Sequence, residues 1–223
     1  ITKAKLPWGG CINVWSEDVI GRSILHRGVH DLLVTECCFR LAKPGDTVLD
    51  VGANIGQMTS AFSHIIGKSG NVYSFEAHPD IFSFFEENVK CFLKENKANI
   101  NIFNIALSSS SGNKVLYSPT QLDSNSGISS LEEMAGSIAF SVTSNRLDEI
   151  VNDKVNLAKI DVEGHEYNVL SGAKNLLSEK KIKHIIFEEH NPFNSRAIKL
   201  LKLHDYNIYE IFQKTLGPAL KPL

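Results

Sequence analysis

Several signatures that would place this 223-residue chain in a class at once are missing from it. Its four cysteines, Cys11, Cys37, Cys38 and Cys91, form no Cys-x-x-Cys pair and have no histidine at zinc-finger spacing. That excludes a zinc module or a disulfide scaffold and predicts free thiols in a reducing, cytoplasmic setting. No apolar run approaches the roughly 20 residues that a membrane helix needs, and no signal-peptide pattern opens the chain. Neither sign of charge dominates: 23 Lys and Arg face 25 Asp and Glu, a formal net charge of −2. Nothing in that balance points to nucleic acid or to a membrane surface as a partner. The phosphate-binding patterns Gly-x-Gly-x-x-Gly and Gly-x-x-x-x-Gly-Lys-Ser/Thr do not occur. A P-loop is thereby excluded, and a dinucleotide-dependent oxidoreductase would lack its fingerprint. No Tyr-x-x-x-Lys pair supports that oxidoreductase either.

What is present centres on Val48-Leu49-Asp50-Val51-Gly52-Ala53-Asn54-Ile55-Gly56. The run reads as a buried strand, a glycine turn and the start of a helix, an arrangement that aims backbone N–H groups at a ligand. Asn54 stands where a pyrophosphate-binding turn has its middle glycine. Glu76 closes the next apolar run, Asn71-Val72-Tyr73-Ser74-Phe75-Glu76. A carboxylate at the end of a second strand suits the hydroxyls of a ribose. Asp50, read as lying at the crevice mouth, would repel a phosphate and attract an ammonium or a sulfonium. S-adenosylmethionine carries a ribose, an ammonium and a sulfonium and no phosphate, so charge alone favours it.

The remaining sequence alternates strands and helices. Residues 46–51, 71–76, 100–105, 155–161, 182–189 and 206–212 read as strands, with a short strand at 114–117. Residues 57–66, the run from Pro79, 165–178 and 194–204 read as helices. This predicts an α/β fold, a mostly parallel twisted sheet with helices on both faces. The crossover rule puts the switch point between strands one and four. Asp50, Gly52, Glu76, Asp161 and His190 then meet at one crevice. The first 25 residues fit no regular element well, and residues 1–30 are read as a cap on the domain over 31–223, within a single globular domain overall. The polar stretch 118–137 reads as a mobile loop that covers the site and selects the acceptor.

The glycine block, Phe75-Glu76-Ala77-His78-Pro79, Leu147-Asp148-Glu149, Lys159-Ile160-Asp161-Val162-Glu163-Gly164-His165-Glu166 and Val169-Leu170-Ser171-Gly172-Ala173 together resemble the FkbM-type methyltransferases. The resemblance covers about residues 30 to 190. It implies a Rossmann-like class I fold that uses S-adenosylmethionine and releases S-adenosylhomocysteine. It also implies O-methylation of a small metabolite, a sugar or a natural-product intermediate, free or bound to a carrier protein. Cofactor contacts are expected from Asp50, Gly52, Ala53, Asn54, Gly56, Thr59, Glu76, Ala77 and Asp161. By family analogy adenine lies near Asn104 and Ala106, and Asp31 falls where relatives have a polar residue near the cofactor.

Transfer to a hydroxyl needs a base beside the methyl group. The candidates are His190, His165, Asp161 and Glu163, with His190 first because histidine titrates nearest neutrality. Asp161 could also orient the base or meet the ammonium. The Asn/Asp-Pro-Pro-Tyr/Phe motif common in amino-group methyltransferases is missing after strand four, where Asp161-Val162-Glu163-Gly164 stands. Oxygen is therefore favoured over nitrogen as the acceptor. Asp161, Glu163 and Glu166 with His165 have the donor types of a metal site. They flank a helix start and are not expected to converge, so no metal is assigned. Two rival readings remain. One is a SAM-binding module without catalysis inside a multienzyme, with which the opening Ile1 is compatible; the other is the oxidoreductase.

Overall fold

The computed structural model describes residues 1–92, 98–119, 129–131, 136–215 and 217–223. The chain opens with an antiparallel hairpin, β1 (Thr2–Lys5) and β2 (Cys11–Val14), followed by α1 (Val19–Arg27) and α2 (Leu32–Leu41). No regular element is legible in the first 25 residues because the two strands are only four residues each. Long-range packing holds them. Ala4, Leu6, Ile12, Val14 and Ile24 bury against Ile55, Ile81 and Phe84, and Trp15 stacks on Phe84 with ring centroids 4.3 Å apart. Asp18 caps α1 by accepting from Ile20 N and Gly21 N.

Next come β3 (Thr47–Val51), α3 (Gln57–Ile66), β4 (Asn71–Phe75), α4 (Pro79–Phe92) and β5 (Asn99–Phe103). Gly67-Lys68-Ser69 forms a 3-10 turn at the end of α3 and leads into β4, so it is no phosphate loop. After β5 follow β6 (Ala106–Leu107), β7 (Gly112–Pro119), β8 (Ser137–Asn145), α5 (Leu147–Ile150), β9 (Val155–Ile160), α6 (Glu166–Ser171), α7 (Lys174–Ser178) and β10 (Ile182–Phe187). The chain ends in α8 (Arg196–Leu203), β11 (Tyr209–Lys214) and β12 (Gly217–Pro222).

The central sheet has the order β10-β9-β3-β4-β5 with every pair parallel. The direction of winding reverses between β3 and β9, the switch point the sequence predicts. Residues 206–212, expected as a further strand, instead start β11, which pairs antiparallel with β12 apart from the central sheet. The helix expected over 165–178 is two short helices. A Cβ at Gly172, between them, would overlap the Ser108 carbonyl, so the chain there packs directly against the loop after β6. Ser137–Asn145, which follows the expected loop and is given no element by the sequence, is the central strand of a three-stranded sheet, β6-β8-β7. Much of the covering loop expected over 118–137, namely 120–128 and 132–135, lies outside the described residues. Among the described residues no helix is long and apolar enough to cross a membrane.

Period-two alternation divides β3 between two cores. Leu49 and Val51 join the cluster built on β9, α6 and α7. Val48 joins the cluster of α2 and α3, and Asp50 shares its face. Register places Ser74 and Lys159 on either side of Asp50. One lateral row, Ser74–Asp50–Lys159, therefore runs across three strands, and Thr59 of α3 donates a hydrogen bond to Asp50 Oδ2 at 2.7 Å.

Candidate active site

At the carboxyl ends of β3, β4, β9 and β10 lies a cavity of about 890 Å³. Its floor is apolar, with Val51, Ile105, Leu107, Ile160 and Phe187. Its polar lining is mostly acidic: Asp31, Glu76, Asp161, Glu163, Glu188 and Glu189 contribute, and so do Lys159, His30, His165 and Gln57.

The glycine turn forms one wall. Gly52 N and Ala53 N both donate to the Phe75 carbonyl at 3.0 Å. Gly52 has φ 76, and a Cβ there would overlap the Asp161 carbonyl oxygen. Only glycine lets β9 approach so closely. Gly52→Ala is expected to cost about 2–4 kcal/mol, from the left-handed backbone and the overlap together, seen as a lower urea midpoint. At Gly56, φ 92, a Cβ would meet the Phe85 ring 2.5 Å away. Gly56 thus shapes the turn from behind and does not line the cavity.

Glu76 is 8% exposed. Its Oε2 accepts from Asn54 N at 2.9 Å and its Oε1 from His78 N at 2.8 Å. Burial pushes its carboxyl up, against the pull of the His78 and Asn54 N–H donors. One lone pair on each oxygen remains for the vicinal hydroxyls of a ribose.

Asp50 is not at the mouth of the crevice. It is 0% exposed and points away from the cavity, into the row described above. Burial raises its pKa, and Lys159 and the Thr59 hydroxyl oppose that shift. Thr59 is equally buried and also bonds Ser74 at 2.8 Å, so it acts on the site through Asp50. Asn104 is exposed and off the cavity wall. Its amide nitrogen donates to the Glu76 and Ala77 carbonyls and so joins the ends of β4 and β5. Ala77 and Ala106 do line the cavity.

The structure redistributes the candidate bases. The His190 side chain is 80% exposed, with Nε2 3.7 Å from Glu188 Oε1, and it does not line the cavity. His165 does, but both ring nitrogens are engaged. Nδ1 accepts from Asn168 Nδ2 at 3.0 Å and Nε2 bonds the Ser108 hydroxyl at 3.0 Å. Burial and the Lys114 cation push its pKa down to about 4. Asp161, Glu163 and Glu188 do converge, each offering an oxygen within 4.8 Å of the others. Glu163 sits at φ 51 in a turn secured by Glu166, whose Oε1 accepts from Val162 N and Gly164 N. Glu166 is thus a buried cap, and it and His165 stand outside the carboxylate group. Burial, then Asp161 and Glu188, raise the Glu163 pKa. Burial, then Asp161, raises that of Glu188.

Lys159 anchors the group. Its Nζ lies 3.2 Å from Asp161 Oδ2 and 3.8 Å from Asp50 Oδ1, and it donates to the Gly52 carbonyl at 3.0 Å. Lys159 and Glu188 both lie in runs that stand out in the sequence, but the runs alone do not mark either as a site residue. Nothing in the sequence signals His30, which falls in the irregular N-terminal segment. Gln57 passes for an ordinary first helical residue.

The sequence pattern of the family described as Methyltransferase FkbM domain matches residues 50–208. The Hexuronic acid methyltransferase AglP of Haloferax volcanii is 33% identical over 153 residues, 67% of this chain and 58% of that protein. Methyltransferase 1 of Beauveria bassiana is 29% identical over 166 residues, 65% of this chain and 66% of that protein. The chain therefore spans less than two thirds of either relative's length. The crystal structure of a methyltransferase FkbM from Methylobacillus flagellatus KT shares the fold, with a TM-score of 0.56 at 15% identity over 85% of this chain and 50% of that one. The architecture is the Rossmann-like class I methyltransferase fold.

Proposed function

This chain belongs to the FkbM methyltransferase family, and from that premise we propose that it methylates a hydroxyl group of a sugar or a related polyhydroxylated metabolite, with S-adenosylmethionine as donor. When bound, S-adenosylmethionine supplies a methyl group on a sulfonium and leaves as the neutral thioether S-adenosylhomocysteine. The cavity residues fit that donor. Glu76 keeps lone pairs for a ribose, and the acidic wall suits ammonium and sulfonium charge while opposing a pyrophosphate.

The observation that carries the reading is the convergence of Asp161, Glu163 and Glu188 within 4.8 Å. Partial desolvation in the cavity, and after it like charges, raise the pKa of the solvent-accessible Glu163 and Glu188, which strengthens them as bases. Glu163 takes the hydroxyl proton as the new oxygen–carbon bond forms, and Glu188 shares the field that raises its basicity. Asp161, held by Lys159, faces the donor's ammonium. The acidic wall favours a hydroxyl over a carboxylate as the acceptor. Asp31, Glu163, Glu188 and Glu189 would repel an anionic nucleophile, so the hydroxyl is the better acceptor. The name of the Haloferax relative, a hexuronic acid methyltransferase, supports a sugar. The hydroxyl arrives on a free molecule or on a carrier protein.

The test is transfer of a labelled methyl group to a set of neutral and uronic glycosides. Label that survives mild alkali marks an ether and supports the reading. Label released by alkali marks a carboxyl ester and overturns it. A binding test needs no acceptor. Sinefungin carries an amine where the donor carries its sulfonium methyl, and it is expected to bind about tenfold more tightly than S-adenosylhomocysteine, equivalent to roughly 1.4 kcal/mol. Titration of Glu163→Gln is expected to show most of that advantage gone.

A further inference from the structure

Gln57 is the first residue of α3, one position past Gly56. Its side chain bonds to a segment 27 residues away in sequence: Oε1 accepts from the His30 N–H at 2.6 Å, and Nε2 donates to the His30 carbonyl at 3.2 Å. Both backbone groups of one residue are thereby held by one planar carboxamide, carried by a residue that is 7% exposed. A clamp of this kind transmits displacement, because neither bond can lengthen without the other tilting.

Both ends of the clamp face the same cavity. Gln57 lines it beside Gly52–Ile55, and His30, Asp31 and Val34 line it as well. The clamped segment is set in an unusual backbone. Asp31 has φ 42 without being glycine, and it holds the start of α2 through its Oδ1, which accepts from Val34 N at 3.0 Å. The Asp31 carbonyl accepts from Thr35 N and from the Thr35 hydroxyl. One side of the segment is therefore fixed by α2, and the other by Gln57. The His30 Nδ1 is buried with no hydrogen-bond partner among the described residues. Burial lowers its pKa, while the carboxylates of Asp31 and Asp161 oppose that shift, so the ring lies within the field of the acidic group.

We infer that Gln57 is a positioning residue that couples the glycine turn to the His30–Asp31 segment, so that filling the turn with donor orders that wall of the cavity. The inference rests on the cavity being the donor site. Binding would restrain α3 at its first residue, and the carboxamide would pass the restraint to His30.

Hydrogen exchange read by mass spectrometry, with and without S-adenosylhomocysteine, tests this on the wild-type chain, Gln57→Ala and Gln57→Glu. In the wild type the ligand is expected to slow exchange both at residues 52–58 and at 29–35, the latter by about tenfold. In Gln57→Ala the slowing is expected to persist at 52–58 and to vanish at 29–35. Gln57→Glu keeps an oxygen for the His30 N–H and has no donor for the His30 carbonyl, so it is expected to fall between. A purely structural role would change exchange in the free protein and leave the ligand-dependent difference at 29–35 in place. Equal slowing at 29–35 in wild type and Gln57→Ala overturns the inference, and so does slowing confined to 52–58 in the wild type. No slowing anywhere in the wild type means that the donor reading itself is wrong.

Discussion

Replacing Glu163 by glutamine is expected to lower turnover by about 10²–10⁴-fold, the usual contribution of a placed general base, while S-adenosylhomocysteine affinity stays within about threefold. The side chain keeps its size and loses only the ability to take a proton. Burial and the neighbouring Asp161 and Glu188 raise the Glu163 pKa above its ordinary value. A base works only when deprotonated, so activity is expected to fall on acidification, with the limb lying above the ordinary glutamate range. Glu188→Gln removes one of the like charges. Glu163 then titrates lower, and the limb moves toward acid. Neither histidine accounts for such a limb. His165 titrates at about 4 and is bonded at both nitrogens. His190 is 80% exposed and off the cavity wall. His190→Ala is expected to change turnover by less than about twofold, in line with an ordinary surface site.

Lys159→Met is expected to be the most damaging change to stability. Asp50 is 0% exposed, and Lys159 is the one cation paired with it among the described residues. Without the lysine a buried carboxylate is left uncompensated, at a cost of about 3–5 kcal/mol. For a domain of this size that lowers the melting temperature by roughly 10 °C. Burial already raises the Asp50 pKa against the pull of Lys159, and losing the cation raises it further. A group whose pKa is raised by folding binds protons more readily in the folded state, so its cost grows as pH rises past the unfolded value. The deficit of Lys159→Met is therefore expected to be larger at about pH 8 than at about pH 5. Asp50→Asn in the same chain removes the buried charge and is expected to restore part of the loss, readable as a higher melting temperature than Lys159→Met alone. Equal melting temperatures would mean that the lysine acts through Asp161 and Gly52 instead.

The central strands and their order were legible because they carry long-period information. Buried runs end in glycine or acid at regular spacing, and the crossover rule fixes the order. The hairpin of β1 and β2 was not, since each strand is too short to show a pattern and owes its place to Ile55, Ile81 and Phe84, distant in sequence. Within the site, Glu76 and the glycine turn were readable from position alone. Asp50 was misplaced because its strand position was read without its parity. It shares a face with Val48 and points at α3. The preference for His190 and His165 among the candidate bases does not fit the geometry, for a different reason. Histidine has the suitable free pKa, but the environment sets the pKa that counts. Burial and the Lys114 cation push the His165 pKa down, while desolvation and then mutual repulsion raise those of carboxylates that sequence alone presents as ordinary. His30 reaches the cavity through a carboxamide clamp that no local pattern announces.

The most direct measurement is a calorimetric titration of the purified chain with S-adenosylhomocysteine beside NADH. Micromolar binding, about −8 kcal/mol, with no heat from NADH is the expected result. It would identify the acidic cavity as a donor site closed to pyrophosphates. Absence of S-adenosylhomocysteine binding, or equal binding of NADH, would contradict the assignment of the glycine turn and Glu76 to that donor.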